Sequence, residues 1–244
     1  MYRFFVNENQ IGDENITIEG SDVNHIKNVL RMREGETILV SDGNDHEYVC
    51  NITELSDTVT AKIVEVNEQK RELPIKVTLF QALPKSDKME TVIQKMIELG
   101  AVEIVPVKTS RCIVKLDDKK AEKKVARWNE IAKSAAKQSK RGIIPKVSEV
   151  ITYEQALDKA KEMDTILFPY EVAEDIDHTR EIFGKIDKDG SVAIFIGPEG
   201  GFDAEEATKA KEAGAKEITL GNRILRTETA GMMIMSVLMY LFEE

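Results

Sequence analysis

Two short segments near the end of the chain combine residue types that suit the binding of a small polar molecule. Gly197-Pro198-Glu199-Gly200-Gly201-Phe202 follows the apolar run Val192–Ile196, and Leu220-Gly221-Asn222-Arg223-Ile224-Leu225-Arg226-Thr227-Glu228-Thr229-Ala230 opens the last helical stretch. Each reads as strand, loop, helix. Three glycines within five residues let a backbone come close to a ligand and adopt positive φ, so that peptide N–H and C=O groups do the binding. A plain connection explains part of this pattern. Asp203 and Glu206 have the spacing of a capping box, and Gly200-Gly201 could simply turn the strand into the helix. A turn does not also need a proline-fixed carboxylate directly after an apolar strand end, which is where open α/β sheets bind their ligands. The pair of loops is therefore read as a cofactor cradle.

Other chemistries find less support. His25, His46 and His178 have no Ser, Cys or Asp at a local catalytic spacing, and Cys50 and Cys112 have no neighbouring Cys or His to share a metal. No hydrolase site and no metal site is expected, and the two cysteines fit a reduced compartment. No GxGxxG follows an early strand, which argues against a dinucleotide-dependent dehydrogenase.

The elements that must position the two loops change character along the chain. Residues 1–70 carry β-branched or aromatic runs at Tyr2–Val6, Thr37–Ser41, Tyr48–Leu55 and Thr58–Val66, separated by glycine turns, which predicts a small β-barrel. One helix is expected over Ser21–Met32, with Val23, Ile26, Val29 and Leu30 on its inner face. A polar linker, Asn67–Glu72, closes at Pro74. From residue 74 to 244 strands alternate with amphipathic helices, which predicts an α/β domain on a mainly parallel sheet. Its helices are expected over Ser86–Leu99, Lys119–Ser139, Tyr153–Met163, Asp203–Ala213 and Thr227–Phe242. No stretch reaches the roughly 18 apolar residues of a membrane span and no signal peptide is visible, so a cytoplasmic protein is expected.

The formal net charge is −10, yet it is unevenly divided. Residues 1–70 hold 6 basic and 14 acidic side chains, residues 71–150 hold 18 and 10, and residues 151–244 hold 10 and 20. Within 108–146 the balance is 13 basic to 4 acidic. Ion release acts locally, so one basic stripe can hold a phosphate backbone on an acidic protein, although charge runs on helices are also common solvated faces.

Both glycine loops resemble the cofactor loops of the SPOUT methyltransferases, and the wording GPEGGF with LGNRILRTETA is similar to the 16S ribosomal RNA (uracil-N3)-methyltransferase family. The similarity continues through Arg3-Phe4-Phe5, His25–Arg31, Lys85–Gly100, Thr109–Cys112 and Ala135–Pro145. The resemblance implies a trefoil-knotted domain that binds S-adenosylmethionine, preceded by a PUA-like RNA-binding barrel. It implies cofactor contacts from Tyr170, Glu171, Ile196, Gly197, Pro198, Glu199, Gly200, Gly201, Leu220, Gly221, Ile224, Leu225, Thr229 and Ala230, with Glu199 mainly structural.

Arg226, Thr227 and Glu228 would then face the methyl group and the target base, Arg226 as the electrostatic partner of a uracil anion and Glu228, or a water, as proton acceptor. RNA contacts are expected from Arg3, His25, Arg31, Arg111, Lys137 and Arg141, although a lone His25 and the rings beside Arg3 fit the barrel interior equally well. The implied partners are 16S ribosomal RNA or the 30S subunit, and a second copy of the chain joined through Ser86–Leu99 and Thr227–Phe242. Two rival readings stand beside this one: a SPOUT enzyme acting on transfer RNA or a ribose 2′-hydroxyl, and a non-catalytic RNA-binding or assembly factor.

Overall fold

The structure is a computed structural model that describes residues 1–43, 46–68, 71–170 and 175–243. Two compact units emerge: residues 1–72 together with 136–144, and residues 73–135 together with 145–244. The return of residues 136–144 to the first unit departs from a division at a single linker. Asn67 and Glu68 of the expected linker continue a strand, and residues 69–70 lie outside the described residues.

The first unit holds β1 (Arg3–Phe5), β2 (Asn15–Ile18), α1 (Ser21–Asn24), β3 (Thr37–Ser41), β4 (His46–Leu55) and β5 (Val59–Glu68). The strands form one curled sheet in the order β1-β3-β4-β5-β2, antiparallel except for the β1–β3 pair. Alternation decides which side chains face inward. Ile16 and Ile52 both stand opposite Ala61, Ile38 opposite Cys50, and Ile18 opposite Val59, and all of these are buried. Breaks in register at Val49/Cys50 and Ile52/Glu54 bend β4 against β5, which curls the sheet around this core. Burial raises the Cys50 thiol to a pKa of about 11, so it behaves as a small apolar side chain. β2 was not expected, because Asn15-Ile16-Thr17-Ile18 is only four residues long.

The expected helix over Ser21–Met32 is interrupted. After α1 the chain widens into a π turn over His25–Val29 and stops at Arg31, whose φ is 54°. The extra residue per turn rotates Val29 outward to 61% exposure, while Val23 and Ile26 stay buried.

The second unit is a parallel sheet covered by helices. Its elements are β6 (Lys76–Ala82), α2 (Lys88–Glu98), β7 (Glu103–Lys108), α3 (Asp118–Gln138), β8 (Lys146–Val147), β9 (Ile151–Thr152), α4 (Tyr153–Ala160), β10 (Thr165–Pro169), α5 (Ile176–Phe183), β11 (Ser191–Ile196), α6 (Ala204–Glu212), β12 (Lys216–Ile218) and α7 (Thr227–Phe242). The strand order is β12-β10-β11-β6-β7-β8, with β9 also on β7 and every pairing parallel. From β6 the chain builds outward through β7 and β8; it then lays down β10 on the other side, places β11 between β10 and β6, and adds β12 at the edge. The order therefore reverses between β6 and β11, the kind of switch point at which α/β sheets open a crevice.

Phe80 and Phe195 stack at 4.6 Å in the middle of this sheet, and Phe168 stacks on Phe202 at 4.6 Å, so the first glycine loop is anchored by its last residue. Helix α2 buries Met89, Val92, Ile93, Met96 and Ile97 on one face, as its spacing predicts. Helix α7 comes close at Gly231, where an added Cβ would stand 3.6 Å from Ile196 Cγ1 and from Met96 Sδ. Among the described residues no helix is long and apolar enough to cross a membrane.

Candidate functional site

The switch point puts the first loop directly above two paired strand ends. Ile196 stands beside Gln81 in register, and Gly197 to Phe202 then leads into α6. Gly201 N–H donates to the Pro198 carbonyl at 2.9 Å, closing a turn that needs Gly201 at φ 65°. Gly197 is needed for a different reason. A Cβ there would lie 3.1 Å from the Gly201 backbone, so any other residue would push the loop apart by a few tenths of an ångström.

The start of α6 locks the far side of the loop. Asp203 Oδ1 accepts the Glu206 N–H at 2.8 Å and Glu206 Oε2 accepts the Asp203 N–H at 3.0 Å, the reciprocal capping box anticipated from the spacing. The segment after β7 extends it: the Ser110 N–H donates to Glu206 Oε1 at 2.8 Å, the Ser110 hydroxyl to Asp203 Oδ2 at 2.7 Å, and Arg111 Nη1 to the Gly200 carbonyl at 2.8 Å. Bonds from the Glu206 N–H and the Ser110 hydroxyl hold the Asp203 carboxyl below its usual range. The capping box and the cleft-lining glycine loop therefore coexist in one segment.

The second loop closes the opposite wall. It leaves β12, passes Gly221 at φ 93°, and reaches Arg226, the residue that precedes α7. Thr227 joins the two walls: its hydroxyl donates to the Gly197 carbonyl at 2.6 Å and accepts from Gln81 Nε2 at 2.9 Å. Both Gln81 and Thr227 are buried, and Gln81 Oε1 has no hydrogen-bond partner among the described residues. Between the walls lies a cleft of about 1040 Å³.

Of the residues expected at the cofactor, Tyr170, Ile196 to Gly201, Leu220, Gly221, Ile224, Leu225 and Ala230 line this one cleft. Thr229 is exposed and does not line it, and Glu171 lies outside the described residues. Arg226 lines the cleft and is exposed, its charge acting on Glu228, and among the described residues its side chain makes no hydrogen bond or ion pair. Lys88 and Arg111 line it as well.

The comparisons with known proteins agree with this geometry. The RNA methyltransferase domain family matches residues 71–239, and the RNA methyltransferase PUA domain family matches residues 18–64. The chain is 39% identical over 247 residues to ribosomal RNA small subunit methyltransferase E of Bacillus subtilis, across 98% of this chain and 96% of that protein. The chain belongs to this family of RNA methyltransferases. The family member of the same name from Mesomycoplasma hyopneumoniae is 37% identical over 97% of this chain and 98% of its own. Two solved structures are also similar. Ribosomal RNA small subunit methyltransferase E of Neisseria gonorrhoeae, bound to S-adenosyl methionine, has a TM-score of 0.84 and 36% identity over 99% of this chain and 98% of that one. A methyltransferase of Legionella pneumophila with bound cofactor SAM has a TM-score of 0.86 and 32% identity, over 98% and 97%.

The electrostatics of the methyltransferase cleft centre on Lys88, which sequence reasoning missed. Its ammonium lies 3.2 Å from Glu199 Oε1 and 3.2 Å from Glu228 Oε2, and Glu199 Oε1 also accepts the Lys85 N–H at 3.1 Å. Burial works against ionisation of both carboxyls, but backbone N–H bonds and Lys88 together outweigh it and hold both below their usual range. Glu228 is thus an ion-paired carboxylate, a weak proton acceptor by itself. Gln81 and Ser110 were likewise missed, because neither belongs to a glycine loop and only the folded chain brings them there.

The residues expected at RNA fall into two groups. The Arg3 guanidinium is buried and pairs with Glu47, donating also to the Lys140 carbonyl, and burial is the main cause that lowers its pKa. Arg141 is buried against Glu72, with Nε 3.2 and 3.1 Å from the two carboxylate oxygens. Lys137 donates to Asp22 at 2.9 Å. These three are engaged within the first unit. His25, Arg31 and Arg111 are exposed.

Proposed function

We propose that the protein transfers a methyl group from S-adenosylmethionine to N3 of a specific uridine in the 16S ribosomal RNA of the small subunit. The observation that carries this reading is the meeting of both glycine loops around one cleft at the ends of β6 and β11. The cleft suits that cofactor. Gly197 and Gly201 keep its rim at backbone thickness, and the Glu199 carboxylate on its wall complements a positively charged sulfonium. When bound, the cofactor supplies an electrophilic methyl group on sulfur.

What the chain supplies is alignment and charge. Holding donor and acceptor in line can account for about 7–11 kcal/mol of the barrier. Uracil N3 carries a proton, and its loss leaves an anion spread over O2 and O4. Arg226, exposed in the cleft and free of side-chain partners, is the residue we assign to that anion. Glu228 is already ionised and tied to Lys88, which favours a water as the first proton acceptor and leaves Glu228 to orient the turn beside Arg226. N3 lies on the pairing edge, so the target base must be unpaired or flipped out.

The same reading takes the second unit as trefoil-knotted and the protein as a homodimer through α2 and α7. Half-buried Met232, Met233, Val237 and Met239, with exposed Tyr240 and Leu241, support an interface along α7. RNA contact is assigned to His25, Arg31 and Arg111. The test is to incubate the protein with labelled cofactor and either naked 16S RNA or 30S particles, then map the label. The expected result is one labelled uridine, methylated at N3, with particles preferred. A label on ribose or on transfer RNA refutes the N3 assignment, and no label at all refutes the enzyme.

A further inference from the structure

Lys88 opens α2, more than a hundred residues before either glycine loop, yet it touches both halves of the cleft. One contact goes to Glu199 in the first loop, the other to Glu228 in the first turn of α7, each at 3.2 Å. Glu228 Oε2 has no other polar partner among the described residues. The two carboxylates therefore approach each other closely with one ammonium between them. Removing that cation would leave two like charges, one on the cleft wall and one beside it, with side chains only 29% and 20% exposed, where screening is weaker than in open water.

We propose that Lys88 is a positioning residue of the methyl-transfer site, a clamp that holds the Glu199 loop against the first turn of α7. This rests on the cleft being the cofactor site as read above. Lys88 itself makes no contact that would require the reacting atoms. Its effect passes through two carboxylates: Glu199 sits among the cofactor-loop residues, and Glu228 lies two residues after Arg226. Other groups facing the pair are the Lys85 N–H on Glu199 and Arg226 near Glu228.

The clamp has a signature that ordinary structural damage lacks. With Lys88 present both carboxylates titrate below the usual range, so cofactor affinity stays level from pH 8 down to about 5. With Lys88 replaced by Met, each carboxylate raises the pKa of the other, so the repulsion is full at high pH and is relieved as pH falls and one of them takes a proton. The experiment is calorimetric titration of the full-length protein with S-adenosylmethionine at pH 8 and pH 5.5. K88M is expected to bind about tenfold more weakly at pH 8, the loss of two partly exposed ion pairs, and to recover most of that at pH 5.5. The double variant K88M/E228Q, which removes one of the repelling charges, is expected to recover affinity at pH 8, and K88R to bind as the unmodified protein does.

Affinity of K88M equal to that of the parent at both pH values overturns the proposal. So does a loss that is the same at both pH values and is not rescued by E228Q. If K88M fails to fold, as judged by circular dichroism, K88R still decides the matter, because a clamp made by charge must accept it and a tenfold loss there refutes the clamp. Failure of the parent protein to bind the cofactor would count against the proposed function instead, so the two failures are distinguishable.

Discussion

Replacing Thr227 by Val tests how tightly the cleft depends on one buried hydroxyl. Valine keeps the shape and removes the oxygen. The Gly197 carbonyl loses its 2.6 Å donor and Gln81 Nε2 loses its 2.9 Å acceptor, though the amide keeps a 3.0 Å bond to the Ala82 carbonyl. An orphaned buried acceptor costs about 1–3 kcal/mol, and the half-satisfied amide adds less, so a total of about 2–3 kcal/mol is expected. For a chain of this size about 1 kcal/mol moves the midpoint by about 2–4 °C, so the thermal transition of the second unit should fall by about 4–12 °C. Cofactor affinity should fall with it, because the Gly197 carbonyl is what Thr227 holds in place. T227S, which restores the oxygen, should recover most of both. Scanning calorimetry with and without S-adenosylmethionine measures the two effects together. An unchanged midpoint in T227V would mean that the hydroxyl is not a tie between the walls, and the account of how the two loops are joined would fail.

Arg226→Ala should lower turnover by about 10²–10³-fold while leaving cofactor affinity within about twofold, because its side chain makes no bond in the folded protein; parallel loss of both in kinetics and calorimetry would remove its assignment. Gly197→Ala should weaken cofactor binding without unfolding the chain, since its Cβ would press on the Gly201 backbone at 3.1 Å and displace the loop, and a bound-state heat equal to the parent's would contradict this. Glu199, Asp203 and Glu228 all have lowered pKa values, so their contribution to stability is complete above the ordinary carboxylate range and is lost as pH falls through the lower folded values; the midpoint should be level down to about pH 5 and drop below it. Arg31→Ala should weaken RNA binding and reduce the salt slope by about one, whereas Arg3→Ala, which leaves the buried Glu47 with the more distant Arg71 at 3.8 Å, should destabilise the first unit, as filter binding and thermal melts would show.

Some of the fold was legible because it is written in local patterns. Alternating Ile38 and Val40 or the 3.6-residue spacing of Met89, Val92, Ile93 and Met96 directs burial whatever the distant context, so β3 and α2 matched their expected ranges closely. β8 and β9, two residues each, carry no period that could announce them. Val29 was assigned to the wrong face because a π turn is set by the packing around it and not by residue type. The cofactor loops were legible for another reason: glycine spacing and a proline-fixed carboxylate have few purely structural uses together.

The amino-acid sequence by itself therefore announced two units, the two glycine loops that line the cleft and the capping box at Asp203. Each of these depends on neighbours within a few positions, where backbone geometry is local. Only the tertiary structure decided which charges are available. Arg3, Lys137 and Arg141 look in sequence like free cations for RNA, but Glu47, Asp22 and Glu72 meet them in the folded first unit. It likewise decided that Lys88 lines the cleft and that Gln81 and Ser110 brace its two loops, because contacts across 96 or 146 positions arise from sheet order and not from spacing. Electrostatics acts through space, so the partner of a charge is settled only when the chain has chosen which distant segments to bring together.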